Sequence, residues 1–166
     1  MTSLEIPAPD GGPRPITVEV RALTLPGTPR AGMRTAAGEA WPGLLRLCPH
    51  CGSGAHGRPR HPDGRLCSLT YAPGLALLAT AEDGRAVGID VEPDDASAPD
   101  LPGIGSLADW VRLEAVLKAT GEGLRRDPAA VPASLGWAAD VPLPGYVARV
   151  VLLDAVPRVR LVPAAD

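Results

Sequence analysis

The segment Val87-Gly88-Ile89-Asp90-Val91-Glu92 alternates apolar residues with glycine and carboxylates. A strand with this pattern buries its apolar face and presents Asp90 and Glu92 together on the other face. Residues two apart on a strand lie about 6.6 Å apart, which is close enough for two carboxylates to converge on one divalent cation. The pattern therefore predicts a half-buried strand that carries an acidic site.

A helix is predicted between Ser106 and Gly121. Ser106 and Asp109 have the spacing of a capping box, and Gly121 is a typical helix stop. Glu114 and Lys118 lie four residues apart, so they share one stripe of this helix, and Lys118 is the only lysine in the chain. These two side chains either form a solvated ion pair with each other or join the carboxylates of the preceding strand in one site.

Further strands are predicted from alternating or continuous apolar segments at residues 16–23, 75–81, 146–153 and 159–162. Asp83-Gly84 precedes the acidic strand and favours a type I′ turn, which predicts a hairpin between residues 75–81 and 87–91. The turn-rich segment 125–145 contains Trp137, which we expect to be buried. Strands on both sides of a central helix indicate an α+β fold.

The composition is that of one compact unit. The chain has 166 residues, of which 45% are hydrophobic, and a net charge of −3. This charge argues against nucleic-acid binding and against a polybasic membrane surface. No apolar run is long enough to span a membrane, and the first 15 residues lack the apolar core of a signal peptide. We expect a cytoplasmic protein with a flexible tail at residues 1–15 and a single domain at 16–166.

The loop between residues 44 and 65 carries all three histidines and two of the three cysteines. One interpretation is a zinc site with Cys48, Cys51 and His56 as ligands and either His61 or Cys67 as the fourth. The alternative is a turn in which the thiols are simply buried. An odd number of cysteines, two of them in a Cys-x-x-Cys pair, does not indicate a disulfide framework.

The same loop also suggests phosphate binding. Arg58, Arg60 and Arg65 alternate with glycines and prolines, and arginine forms bidentate hydrogen bonds with phosphate. Glycine lets the backbone approach an anion closely. The alternative is that these arginines are only solvated.

The order of these motifs resembles the phosphopantetheinyl transferases of the broad-specificity type, which activate peptide and polyketide synthases. The similar segments lie within residues 48–124: Cys-Pro-His-Cys-Gly-x-x-x-His-Gly-Arg-Pro, Ser-Leu-Thr-Tyr, Val-Gly-Ile-Asp-Val-Glu-Pro and Trp-x-x-x-Glu-Ala-x-x-Lys. The resemblance implies a pseudo-two-fold α+β fold of two small halves, about 16–85 and 86–166, with coenzyme A bound at the seam. The chain is shorter than is usual for the family.

The resemblance also implies a reaction and its cofactor. In such enzymes a magnesium ion on acidic side chains bridges the diphosphate of coenzyme A. A serine hydroxyl of an acyl or peptidyl carrier protein then attacks the β-phosphate. Carried over by position, the magnesium ligands are Asp90, Glu92 and Glu114, with Glu114 also the candidate base.

Other roles follow from the same resemblance. Lys118 assists proton transfer or neutralises phosphate charge, and Arg58 binds a phosphate of coenzyme A. Thr70 and Tyr71 lie in the Ser-Leu-Thr-Tyr motif and are expected to contact the coenzyme. Displacement at phosphorus depends mainly on positioning and charge neutralisation, so carboxylates with a metal and one ammonium are a sufficient set of groups.

Three departures from the family pattern favour a second interpretation. Tyr71 stands where the family has histidine, Leu113 stands where it has lysine, and the interval after Glu92 is short. Tyr71 replaces a contact that could be positively charged by a neutral hydroxyl, and Leu113 removes a second cationic contact. The short interval leaves no room for the extra helix and acidic turn that the family often has there. The sequence therefore supports two hypotheses: a compact transferase, or a degenerate relative that binds carrier protein or coenzyme, or has another activity, in a biosynthetic pathway.

Overall fold

A computed structural model describes residues 13–48, 51–54, 56–82 and 85–163 of the chain, so most of the predicted tail lies outside the described residues. Within these ranges the protein is α+β, with nine strands and two α-helices. The strands are β1 (Pro15–Thr24), β2 (Leu45–Leu47), β3 (Arg58–Arg60), β4 (Cys67–Ala72), β5 (Leu75–Ala81), β6 (Val87–Pro93), β7 (Trp137–Asp140), β8 (Tyr146–Leu152) and β9 (Val156–Pro163). The helices are α1 (Arg30–Ala40) and α2 (Leu107–Thr120).

The strands of the described residues form three sheets. The first has the order β4-β5-β1-β9, the second has the order β6-β8-β7, and β2 and β3 form a separate pair. Every pairing is antiparallel except that of β1 with β9, in which Ile16 lies opposite Pro157. Of the strands that the structure describes, the last therefore returns to the sheet that contains the first.

The two larger sheets share one hydrophobic core. Val18 and Leu77 of the first sheet and Ile89 and Val150 of the second belong to a single cluster of buried side chains. No helix among the described residues is both long and apolar enough to cross a membrane.

The predicted hairpin between β5 and β6 is wrong. Asp83 and Gly84 lie outside the described residues, but the strands on either side of them belong to different sheets. β5 is paired on both edges, with β4 and β1, while β6 pairs with β8 through registers such as Asp90 opposite Arg149. A local turn sequence indicates that the chain reverses direction, but it does not determine which strand pairs with β5 or with β6.

Side chains join the two larger sheets at the seam between β4 and β6. The Ile89 backbone N–H donates to Ser68 Oγ at 3.1 Å, and Thr70 Oγ1 donates to Asp90 Oδ1 at 2.9 Å. Ser68, Thr70 and Asp90 are all buried. The seam therefore holds the first carboxylate of the acidic strand in a fixed position.

Helix α2 begins and ends as the capping pattern predicts. Ser106 Oγ accepts a hydrogen bond from the Asp109 N–H at 3.2 Å, and Gly121 adopts a left-handed conformation with φ of 78°. The helix packs on β6 so closely that a Cβ atom at Gly88 would lie 1.8 Å from Ala115 O. Gly88 thus lets the helix approach the strand, which brings Glu114 near the strand carboxylates.

Two expectations about burial are wrong. The acidic strand is buried on both faces from Val87 to Val91, because α2 covers the face that carries Gly88 and Asp90. Trp137 is 43% exposed, because it lies on β7, an edge strand of the three-stranded sheet. The other predicted strands are confirmed as β1, β5, β8 and β9.

Candidate functional site

Three carboxylates converge where β6 meets α2. One oxygen from each of Asp90, Glu92 and Glu114 lies within 4.8 Å of the other two. Strand alternation places the first two on one face of β6, and the close approach of α2 at Gly88 adds the third. The acidic group that the sequence predicted is therefore brought together by the fold.

Asp90 is the most buried member of this acidic cluster, which comprises Asp90, Glu92 and Glu114; it is only 2% exposed. Its Oδ1 accepts hydrogen bonds from Lys118 Nζ at 2.6 Å and from Thr70 Oγ1 at 2.9 Å. Its Oδ2 is buried and has no hydrogen-bond partner among the described residues. An unsatisfied buried oxygen is unfavourable, so this atom is positioned to accept a hydrogen bond or to bind a cation.

Lys118 pairs with the strand and not with its helical neighbour. Its ammonium donates to Ile89 O at 3.1 Å as well as to Asp90. Of the two alternatives for Glu114 and Lys118, the one in which both side chains join the strand carboxylates is the one observed. The side chain of Lys118 stays 32% exposed, so its ammonium is also accessible from solvent.

Glu114 has an unusual affinity for protons. Burial, together with the negative charge of Asp90, raises the pKa of Glu114 to about 7. A carboxyl group with this pKa exchanges its proton near neutral pH, as a general base or acid must.

Glu92 has its own cationic partner. Arg30, the first residue of α1, donates from Nη2 to Glu92 Oε1 at 2.7 Å and from Nε to Tyr71 O at 2.6 Å. Arg30 lies 62 residues before Glu92 in the sequence, so no local pattern reveals this pair. Two of the three carboxylates thus have a cation in contact, and the third readily takes up a proton.

The donor set fits magnesium. Carboxylate oxygens are the ligands that hard divalent cations prefer, and Mg²⁺ usually binds through one or two of them. Asp90 Oδ2 has no hydrogen-bond partner among the described residues, and burial together with the charges of Asp90 and Glu92 raises the pKa of Glu114, so a bound cation would offset the repulsion among the three carboxylates. Asp90, Glu92 and Glu114 are the residues that would hold the ion.

A cleft of about 940 Å³ opens beside Lys118 at the C-terminal end of α2. In the part of the chain that the structure describes, its charged lining consists of four basic residues and one acidic one: Arg46, Arg58, Lys118, Arg125 and Glu122. This volume is within the range typical of small-molecule sites. The excess of positive charge suits an anionic ligand.

Arg58 is the arginine of the loop that faces this cleft. Its Nη2 donates to Ala119 O near the end of α2 at 2.6 Å, whereas its buried Nε has no partner among the described residues. Arg65 instead pairs with Asp63 at 2.7 Å, and Arg60 is exposed at the end of β3. Of the three arginines considered for phosphate binding, only Arg58 lines the cleft.

Thr70 and Tyr71, which we expected to contact the coenzyme, are not among the described residues that line the cleft. Thr70 is 2% exposed and bonds to Asp90, so it positions a carboxylate and does not face the cleft. The Tyr71 hydroxyl accepts a hydrogen bond from Arg46 Nη2 at 3.0 Å. Tyr71 therefore orients an arginine that lines the cleft.

The sequence did not reveal Arg46 as a cleft residue, because the face of β2 that carries the two leucines is the exposed face. In β2 the pattern Leu45-Arg46-Leu47 suggests that the leucines are buried, but they are 66% and 61% exposed. The arginine between them lines the cleft. The two-stranded sheet is too small to bury both of its faces, so alternation alone does not identify its inner side.

The second predicted metal group is also partly assembled. One ligand atom from each of Cys48, Cys51 and His56 lies within 4.8 Å of the others. His61 instead contacts Asp63 at 3.0 Å, and Cys67 is buried in β4, where burial raises the pKa of its thiol to about 11. Neither of the fourth ligands that we considered belongs to the group.

Comparison with protein families, with characterised proteins and with solved structures found no match to this chain. The functional assignment therefore depends on the chemistry of the acidic cluster and of the adjoining cleft.

In metal-free buffer, we expect wild-type protein to lose stability relative to Glu114→Gln as the pH rises from about 5 to about 8. Folding raises the pKa of Glu114 from 4.5 to about 7, so the folded chain keeps a proton that the unfolded chain releases. This contribution is complete below the unfolded pKa and is lost as the pH rises through the folded one. Thermal melts with a chelator across this range measure the difference, and a pH-independent difference would contradict the raised pKa.

Proposed function

We propose that this protein transfers the phosphopantetheine arm of coenzyme A to a serine of an acyl or peptidyl carrier protein. The proposal includes a phosphopantetheinyl transferase-like fold of pseudo-two-fold design and action in the cytoplasm. The observation that carries it is the convergence of Asp90, Glu92 and Glu114 with Lys118 at the side of a basic cleft. An anionic diphosphate and a divalent cation are the ligands that this combination of charges suits.

The transfer forms one bond and breaks one. The serine oxygen of the carrier protein bonds to the β-phosphorus of coenzyme A, and the bond from that phosphorus to the oxygen of the adenosine phosphate breaks. The proton of the serine hydroxyl passes to the Glu114 carboxylate, whose pKa of about 7 suits a base at neutral pH. When bound, a magnesium ion supplies charge neutralisation for the diphosphate.

The protein's own cations serve the same reaction. Lys118, which lines the cleft while bonded to Asp90, stabilises negative charge on the departing phosphate. Arg58 and Arg46 bind phosphate oxygens of the coenzyme farther along the cleft. Thr70 holds Asp90 in place from β4. No covalent intermediate with the protein is required, because positioning and charge neutralisation provide most of the catalysis in phosphoryl transfer.

One observation favours the second hypothesis, a carrier- or coenzyme-binding protein without transferase activity. Lys118 and Arg30 neutralise Asp90 and Glu92, and a proton neutralises Glu114, so the acidic cluster reaches charge balance without a metal. Such a protein would bind carrier protein with no requirement for magnesium or coenzyme A. Calorimetry with and without these two components separates the hypotheses.

The direct test combines the protein with an apo carrier protein, coenzyme A and magnesium. Intact-mass analysis of the carrier protein is expected to show the added phosphopantetheine mass. Omission of magnesium, with a chelator present, serves as the control. The absence of this product at high enzyme concentration, over a panel of peptidyl and acyl carrier proteins, would refute the transferase proposal.

Replacement of Arg58 by glutamine is expected to raise the KM for coenzyme A by roughly 10- to 100-fold, with a smaller effect on kcat. The reason is that a charge-assisted hydrogen bond to phosphate is lost while the acidic cluster is unchanged. Steady-state kinetics over a range of coenzyme A concentrations measure this split.

Arg60→Gln is the matched control, because Arg60 lies on the same strand but does not line the cleft. An equal change in KM for the two variants would mean that the effect comes from general surface charge. Arg58 also bonds to the end of α2, so the melting temperature of each variant is measured alongside.

A further inference from the structure

We propose that Cys48, Cys51 and His56 bind one zinc ion, which fixes the loop between β2 and β3 as a wall of the cleft. The site is separate from the acidic cluster and does not depend on the proposed transfer reaction. All three residues line the cleft, together with Arg46 and Arg58.

The spacing of the ligand atoms fits a tetrahedral ion. The three atoms lie within 4.8 Å of one another, and Cys51 Sγ is 3.3 Å from His56 Nε2. A tetrahedral zinc ion with ordinary bond lengths separates its sulfur and nitrogen ligands by about 3.5–3.8 Å. Only small side-chain movements are needed to bind the ion.

The backbone around the cysteines forms a tight loop. Gly52 N donates to Cys48 O at 2.9 Å, and Cys48 N donates to Ser53 O at 2.9 Å. Gly52, directly after the second cysteine, has a φ of 70°, a conformation that side chains disfavour. This turn directs two residues three apart in sequence toward the same point.

Glycine also brings the histidine to this point. A Cβ atom at Gly57 would lie 2.5 Å from Leu47 O and 2.6 Å from Cys48 N, and Gly57 has a φ of 106°. The backbone beside His56 thus contacts the backbone beside Cys48 so closely that only glycine fits. The hairpin register, with Leu47 opposite Arg58, places the two ends of the loop together.

The solvent exposure of Cys51 and His56 argues against the alternative in which the thiols are simply buried. Cys48 is buried, but both Cys51 and His56 are exposed. No disulfide joins the described cysteines. An exposed thiol 3.3 Å from an imidazole nitrogen contributes nothing to core packing, whereas thiolate and imidazole are preferred ligands of zinc. The described residues supply three ligands, so a tetrahedral ion would have one further position to fill.

The test measures zinc in protein prepared without a polyhistidine tag or chelator and with thiols kept reduced. We expect about one zinc per chain in the wild type and almost none in Cys51→Ala and His56→Ala. Cys67→Ala and His61→Ala are matched controls, because they remove the same side chains outside the group, and both are expected to keep the zinc. Circular dichroism verifies that each variant is folded.

Cobalt substitution distinguishes this site from the acidic cluster. Cobalt bound by thiolates gives a near-ultraviolet charge-transfer band, which carboxylates alone do not produce. The band is expected in wild type and in Glu114→Gln and absent in Cys51→Ala. Reduced wild-type protein that contains no zinc and shows no such band with added cobalt would overturn the proposal, as would zinc that is retained in Cys51→Ala.

Discussion

Replacement of Asp90 by asparagine is expected to lower the rate of phosphopantetheine transfer by about 10³-fold. The carboxylate is a proposed magnesium ligand and the partner of Lys118 at 2.6 Å. Asparagine keeps an oxygen for Lys118 and Thr70 but removes the charge that attracts the cation. Several kcal/mol of charge stabilisation depend on the metal, and each factor of ten in rate corresponds to about 1.4 kcal/mol.

The measurement is the initial rate of carrier-protein modification, followed by intact mass, together with magnesium binding by calorimetry. Asp140→Asn is the matched control, because Asp140 is an exposed carboxylate paired with Arg149 at 2.8 Å on an adjoining strand. Such a surface pair contributes little, so this variant is expected to keep its activity. A folded Asp90→Asn protein with a rate within about tenfold of wild type would contradict the assigned role.

Replacement of Gly88 by alanine is expected to destabilise the protein by about 3 kcal/mol or more. The added Cβ would lie 1.8 Å from Ala115 O and 2.7 Å from Ala119 N, both of which are backbone atoms of α2. Backbone atoms of a helix cannot rotate away as a side chain can, so α2 must move off β6. For a chain of this length we expect the melting temperature to fall by roughly 6–12 °C.

The control for this substitution is Gly38→Ala. Gly38 lies within α1, and a Cβ atom there would meet nothing within 4 Å. Alanine at this position is expected to stabilise the helix by about 0.5–1 kcal/mol. Thermal and denaturant unfolding of both variants tests the contrast. Equal stabilities for Gly88→Ala and wild type would mean that α2 is not held against β6 at this point.

The parts of the fold that depend on local signals were predictable. Ser106 and Gly121 mark the two ends of α2, because capping residues satisfy backbone groups within a few residues of the helix ends. The alternation around Asp90 correctly located a strand. Since Asp90, Glu92 and Glu114 lie on these two elements, the members of the acidic cluster could be named from the sequence.

The remaining features depend on contacts between distant segments. β6 pairs with β8 and not with β5, because both edges of β5 are already paired, with β1 and β4. Arg30 and Arg46 reach their partners across 62 and 25 residues, so their roles leave no periodic signal. The burial of Asp90 follows from the helix that covers it, and Gly88 was the one local sign of that close approach.

The parallel pairing of β1 with β9 also bears on the order of events during synthesis. Among the described residues, β1 is the first strand and its partner β9 is the last element. During synthesis, one edge of β1 therefore keeps its backbone groups unpaired until β9 has also been translated. Such a topology has a high contact order, and it leaves an unpaired strand edge open to edge-to-edge aggregation until β9 pairs with it.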